Sequence, residues 1–280
     1  MPLSTLTEVP MKILFIGGGN MASALIGGLL KRGAAAGGLG AIDPNANTLV
    51  HLATQFGIKT YGAVGAHLQD FDAIVLAVKP QVLKEVATAL APFIGTQLII
   101  SIVAGIRGVD IARWLGGYTR IVRAMPNTPA LIGMGVTGLA ALPDVDEAGR
   151  ALAGEVLAAV GQVVWCKAES DIDAVTAISG SGPAYVFYFI EALQQAALEL
   201  GFDAEQARSL AVSTFTGAAQ LAAQTLEPIG TLRERVTSKG GTTAAALASF
   251  ETDQVGTAIA RGALAAHHRA KAMGDEFGSA

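Results

Sequence analysis

From Met11 to about Cys166 the chain alternates short apolar runs with stretches of helical spacing. The runs are KILFIG, LGAID, DAIVLAV, LIISIVAG, RIVRAM and GVTGLAAL. They are continuous rather than alternating, as strands are when both faces of a parallel sheet are covered by helices. The pattern predicts a mostly parallel, doubly wound α/β domain over residues 11–167. Beyond Ala168 the strand-like runs stop, and Ala, Leu and Gln recur at helical spacing, which predicts an all-α domain over residues 168–280.

The helical half carries its own punctuation. Pro183 follows SGSG where a first helical turn tolerates proline, and Gly201 stands where that helix needs a C-terminal glycine. Asp203 with Gln206 has the form of a capping box. Between Arg208 and Glu227 every residue is uncharged and many are small, as in a helix surrounded by protein. A dimer core is the expectation. Charged residues make up only 15% of 280 and hydrophobic ones 51%, which again points to apolar surface buried between subunits.

Charge and cysteine usage narrow the classes. The net charge is −4 and the 19 Lys and Arg form no run, so no footprint for nucleic acid is present. The lone Cys166 excludes an internal disulfide framework and fits a reducing, cytoplasmic setting. Residues 1–10 lack the features of a signal peptide and read as a disordered extension. Residues 86–106 are uncharged and long enough to cross a bilayer, but Pro92, Gly95, Thr96 and Gln97 divide them into helix end, turn and strand. No membrane association is expected.

The first chemistry lies in ILFIGGGNMASAL. Gly17, Gly19 and Ala22 form G-x-G-x-x-A directly after a strand and at the start of a helix. Gly17 allows the tight turn, Gly19 the approach of a pyrophosphate, and Ala22 close packing of helix on strand, while Gly18, Asn20 and Met21 complete the loop. N–H groups at the helix start then face the anion. The alternative is a tight turn without ligand. Asp43 ends the second run, where such a fold reads the adenosine ribose. A carboxylate there favours free hydroxyls, hence NADH, although Asn45, Asn47 or Lys59 leave room for a phosphate, and Asp43 also suits a plain turn before Pro44. Ala77, Val78, Lys79 and Pro80, then Ala104 and Gly105, then MPNTPA (residues 125–130), follow later strands and are expected to close over the cofactor. Lys79 is either beside the cofactor or a surface charge.

The second cluster is RVTSKGGTTAAAL, in which four hydroxyls flank Gly240 and Gly241. Successive N–H groups freed by the glycines form a nest for an anion, and the following helix adds its positive end. The plainer alternative is that Thr242 or Thr243 is an ordinary N-cap. No catalytic histidine suits an alkoxide-forming reduction. His51 and His67 fall in the α/β half, away from the strand C-terminal ends, and His267 and His268 lie among Arg and Lys. A reduction that yields a neutral amine needs no such donor.

Together FIGGGNMASAL, LAVKPQ, MPNTPA, ISGSGPAYV and PIGTLRERVTSKGGTTAAALASFE resemble the pyrroline-5-carboxylate reductase family, from Met11 to about Met273. The resemblance implies a Rossmann domain binding NAD(P)H, and a helical domain that makes a homodimer, often in a ring of five such dimers. It implies reduction of L-1-pyrroline-5-carboxylate to L-proline, the last step of proline synthesis, between one subunit's nicotinamide and the partner's helical domain. Ser238, Gly240, Gly241 and Thr242 would bind the substrate carboxylate. Thr243 would contact the ring nitrogen as the catalytic residue, with Glu169 near the substrate. Two positions depart from relatives: Val64 stands for an asparagine, and Lys239 for a proline. A 6-phosphogluconate-type enzyme would need a lysine in PAYVFYFIEALQQAALEL, which has none. A non-catalytic dinucleotide sensor would leave the second loop unexplained.

Overall fold

The computed structural model describes residues 11–278; the expected N-terminal extension lies outside them. Eight strands form one sheet: β1 Ile13–Ile16, β2 Leu39–Ile42, β3 Lys59–Tyr61, β4 Ala73–Leu76, β5 Leu98–Ser101, β6 Ile121–Met125, β7 Gly135–Ala141 and β8 Gly161–Trp165. Their order is β3-β2-β1-β4-β5-β6-β7-β8. All neighbours are parallel except β6 and β7. The short link between β6 and β7 has no room for a crossover helix, so the strand must reverse.

Side chains explain the continuous apolar runs. Ile13 and Phe15 point into one cluster with α1 (Asn20–Lys31), α2 (Ala46–Phe56) and α5 (Glu147–Ala158), while Leu14 and Ile16 point into another with α3 (Pro80–Leu90) and α4 (Gly108–Trp114). Both sets are buried, so alternation of direction leaves no alternation of polarity. The six runs are all strands. The edge strands β3 and β8 were not announced by such runs, because each keeps a solvated face: Lys59, Gln162, Val164 and Trp165 are exposed.

By its contacts the chain forms two compact units, one of residues 182–265 and the other holding the sheet, the segment up to Ser181 and the end of the last helix from Ala266. The reason is specific. Helix α6 (Asp171–Val175) and the π turn Thr176–Gly180 that continues it are pinned to the sheet. Val175 lies 2.7 Å from where a Gly138 Cβ would be, and Asp173 meets the buried Arg123 of β6.

The other unit holds α7 (Gly182–Glu199), α8 (Ala204–Ala223), α9 (Ile229–Arg235), α10 (Thr242–Thr252) and the start of α11 (Val255–Gly278). Pro183 lies in the first turn of α7. Its end is a Schellman motif: Phe202 N–H donates to Ala197 and Gly201 N–H to Leu198, with Gly201 at φ +94°. Asp203 and Gln206 form the expected capping box at α8. Neither α7, α9 nor α10 has a buried residue, and Phe187, Leu221 and Phe250 are exposed. Exposed apolar surface on this scale marks an interaction face.

Asp146 caps α5 by accepting the Gly149 N–H at 2.8 Å and pairs with Arg120 at 3.1 Å. First that backbone bond and then the guanidinium hold its carboxyl below the ordinary range. Its contribution to folding is therefore complete above the unfolded carboxylate pKa and lost as pH falls through the depressed folded value. The urea-midpoint deficit of Asp146→Ala should stay constant from pH 7 down to about 5 and shrink only as pH falls below the unfolded carboxylate value of about 4; a deficit that persists unchanged at about pH 2 would exclude the charge as its cause.

Candidate active site

Strand β1 has β2 on one side and β4 on the other, so the chain leaves it in opposite directions and a crevice opens at its carboxyl end. Gly17 N–H donates to Ile42 and Ala77 N–H to Ile16, both at 2.8 Å. Gly17 adopts φ +99°, and a Cβ there would lie 2.6 Å from the Ala77 carbonyl oxygen. Only glycine makes this turn. Gly18 is equally constrained: a Cβ would meet Thr48 at 2.5 Å and Leu52 at 2.8 Å. Gly19, by contrast, has nothing within 4 Å of its missing Cβ and is the N-cap of α1 without a side-chain cap.

Open space over an uncapped helix start fits a pyrophosphate. Asn20, Met21 and Ala22 form that first turn, with Ala22 buried in the core. A cleft of about 660 Å³ runs beside it past Gly18, Gly19, Asn20, Asn47, Thr48 and His51. His51, on the second turn of α2, lines the same cleft, which continues past Gln55 and Phe56 toward the far end of that helix. Asp43 spends its carboxylate on the loop itself, accepting from Gly18 N–H and Asn45 N–H, each at 2.8 Å. Sequence reading gave Asp43 the ribose; the structure adds the task of holding the glycine turn.

The later loops follow as expected. Ala77 and Val78 are half-buried beside Gly17, exposed Lys79 is the N-cap of α3, and Pro80 fills its first position. Ala104 and buried Gly105 follow β5, with Gly105 at φ +76°. In the MPNTPA loop Asn127 is buried. It accepts the Val136 N–H at 2.9 Å and donates to the Ser179 carbonyl at 3.0 Å, tying the loop to the π turn. Sequence reading named the prolines there and missed the amide; its place with Thr128 between Pro126 and Pro129 was the available signal. Glu169 accepts the Gly108 N–H at 2.6 Å and meets Arg123 at 3.3 Å. Arg123, 5% exposed, also meets Asp173 at 3.4 Å. Val64 packs on the hydrophobic cluster that holds Leu14 and Ile16, and His67 stacks on Tyr61 with ring centroids 3.9 Å apart.

In the helical unit, the loop at residues 238–243 is a turn closed by Gly241 N–H to the Ser238 carbonyl at 3.0 Å, with Gly240 at φ +73°. Gly241 is the N-cap of α10, without a side-chain cap. A Cβ on it would lie 2.5 Å from Ser238 Oγ. Thr242 and Thr243 are the first helical residues, so neither is the cap: the plainer reading of this cluster does not hold. Among the described residues no hydrogen bond engages the hydroxyls of Ser238, Thr242 or Thr243, whereas Thr237 donates to Arg233. Upstream of the loop, Arg235 at the end of α9 pairs at 2.8 Å with Glu227, which precedes that helix. What remains is a helix start with unused N–H groups, ringed by unused hydroxyls.

Known proteins resemble the whole chain. A pyrroline-5-carboxylate reductase of Pseudomonas aeruginosa is 42% identical over 95% of this chain and 98% of its own. The chain belongs to the pyrroline-5-carboxylate reductase family. The pyrroline-5-carboxylate reductase dimerisation model matches residues 169–273, and the model described as NADP oxidoreductase, coenzyme F420-dependent, matches residues 12–105. The solved pyrroline-5-carboxylate reductase of Coxiella burnetii superposes with a TM-score of 0.89 at 38% identity, covering 95% of this chain and 99% of that one. That of Plasmodium falciparum, solved with NADP bound, gives 0.82 at 29%, covering 94% and 98%. As a pyrroline-5-carboxylate reductase family member the chain is an NAD(P)-dependent oxidoreductase that self-associates through its helical part. Among the described residues no helix is long and apolar enough to cross a membrane.

Gly17→Ala forces a side chain into both a left-handed backbone and the Ala77 carbonyl. It should weaken NAD(P)H binding at least tenfold, as read by nicotinamide fluorescence titration; wild-type affinity would contradict the geometry. Asn127→Ala leaves Val136 N–H and the Ser179 carbonyl unpaired in a partly buried place and should cost about 1–2 kcal/mol in thermal or urea unfolding.

Proposed function

We propose that the chain is a pyrroline-5-carboxylate reductase that transfers hydride from NAD(P)H to the C=N bond of L-1-pyrroline-5-carboxylate, giving L-proline in the last step of proline biosynthesis. The observation that carries this reading is the turn at residues 238–243, where the hydroxyls of Ser238, Thr242 and Thr243 and the first N–H groups of α10 have no partner in the chain itself, Gly241 N–H alone being spent on the Ser238 carbonyl. A carboxylate supplies the acceptors that such a turn lacks. Gly240, Gly241, Thr242 and the Ser238 hydroxyl hold it, and Thr243 aligns the ring nitrogen. Glu169 stands near the substrate while also fixing the start of α4.

When bound, the nicotinamide supplies the hydride. The residues at Gly17, Gly18, Gly19, Asn20, Met21 and Ala22 hold its pyrophosphate, and those at Ala77, Val78, Lys79, Pro80, Ala104 and Gly105 line its path. The iminium arrives already protonated on nitrogen, so hydride addition to carbon gives the neutral amine directly. No side chain has to deliver a proton in that step. The chain's work is binding, orientation and exclusion of water. Asp43 tilts the ribose site toward NADH. The active species is a homodimer, or five dimers in a ring, working in the cytoplasm.

Purified protein should oxidise NAD(P)H only when the cyclic imine is supplied, and silence with both cofactors would sink the reading. Cofactor binding without turnover would favour a dinucleotide sensor instead. Thr243→Ala should lower kcat/KM about tenfold or more, the scale of a hydrogen bond to a charged group, at an unchanged melting temperature; an unaltered rate removes Thr243 from the mechanism. Asp43→Ser should shift preference toward NADPH in the same assay, and an unchanged ratio would show that Asp43 does not set it.

A further inference from the structure

The last turns of α11 lie against the loop that follows β5, within the same compact unit. Gly105 is buried, and at its left-handed φ a Cβ would meet Met273 Cε at 3.1 Å, Met273 Cβ at 3.2 Å and Phe277 at 3.4 Å. Two residues on, Arg107 donates to Asp275 at 2.6 Å and to the Lys271 carbonyl at 3.5 Å. Its guanidinium lies across buried Gly274, where a Cβ would sit 3.0 Å from Nε and Nη2. One helical turn later, Gly278 lies against Asp110, and its carbonyl accepts from Arg113 at 2.6 Å. Glycines four apart lie on one face of a helix. Here they let α11 approach α4 closely enough for both arginines to reach it.

We infer that the C-terminal end of α11 is a brace for the cofactor-facing turn at Ala104 and Gly105, fastened by Arg107 on Asp275, and that Met273, Gly274 and Asp275 thereby set the affinity for NAD(P)H. The inference rests on the reading of that turn as part of the cofactor face. The turn lies beyond the carboxyl end of β5, where ligands of open α/β sheets bind, and displacements of about 1 Å at such positions are costly. Glycine gives it no side chain with which to anchor itself, so its rest position is set by what lies beneath, namely Met273 and Phe277. These are positioning residues: none has to touch the cofactor.

The test is the dissociation constant of NADPH and of NADH, read by nicotinamide fluorescence without imine, for Met273→Ala, Gly274→Leu, Asp275→Asn and Asp275→Glu. Gly274→Leu raises helix propensity while driving the Arg107 guanidinium off its seat, so it separates misplacement of the turn from loss of folding. Met273→Ala and Gly274→Leu are each expected to raise Kd about five- to tenfold. Asp275→Asn, which removes an exposed pair, should raise it about twofold, and Asp275→Glu should recover most of that. In steady state the KM for NAD(P)H should rise while kcat and the imine KM stay within about twofold. Unchanged Kd in both Met273→Ala and Gly274→Leu overturns the inference. So does a rise in Kd matched by equal losses in imine KM and melting temperature, because that is general destabilisation. Because Kd is measured without imine, this outcome is separate from whether the imine is the substrate.

Discussion

The carboxyl end of β1 is stitched on both sides: Ile16 accepts from Ala77 N–H on one neighbour, and Gly17 donates to Ile42 on the other. Both bonds need the backbone to turn at once after Ile16, with no side chain between β1 and the Ala77 carbonyl. Everything at the cofactor end follows from that constraint. The turn fixes where α1 begins, hence where its unused N–H groups point. Asp43 can reach Gly18 only because β2 ends in register with β1. Thr48 and Leu52 close on Gly18 because α2 starts one turn after Asp43. Had β1 ended one residue later, none of these groups would meet.

The helical unit obeys a different economy. Its helices are capped and terminated well, by Asp203, Gln206 and Gly201, yet bury little of themselves. Local signals thus specify the helices, and a second copy of the chain supplies their burial. Low charge and many small residues are what such a unit requires, since bulky or charged side chains would hold another subunit's helices apart.

Much of this was legible in the residues. Continuous apolar runs meant strands covered on both faces, and glycines at two places meant helix starts entered by tight turns, because each signal has a direct local cause. What escaped was carried by contact between distant segments. Edge strands β3 and β8 have solvated faces and hence mixed composition. Asn127 matters through Val136 and Ser179, neither of which is near it in sequence. Helix α6 joins the sheet through Arg123 meeting Asp173 and Glu169, and spacing along the chain does not reveal that pairing. In RVTSKGGTTAAAL composition alone could not separate a capped helix from an open one; the structure did, by placing Gly241 at the cap.

In the proposed mode of binding an open helix start grips the carboxylate, which the reaction leaves untouched. Substrate, transition state and product present that group identically, so on this proposal the turn at residues 238–243 binds all three alike. Such uniform binding lowers KM without accelerating the chemical step. It also means that the product departs against the same grip that captured the substrate. Acceleration must then come from the ring end of the molecule, where a flat iminium becomes a puckered amine, and Thr243, at the edge of the carboxylate turn, is the residue poised between the two tasks.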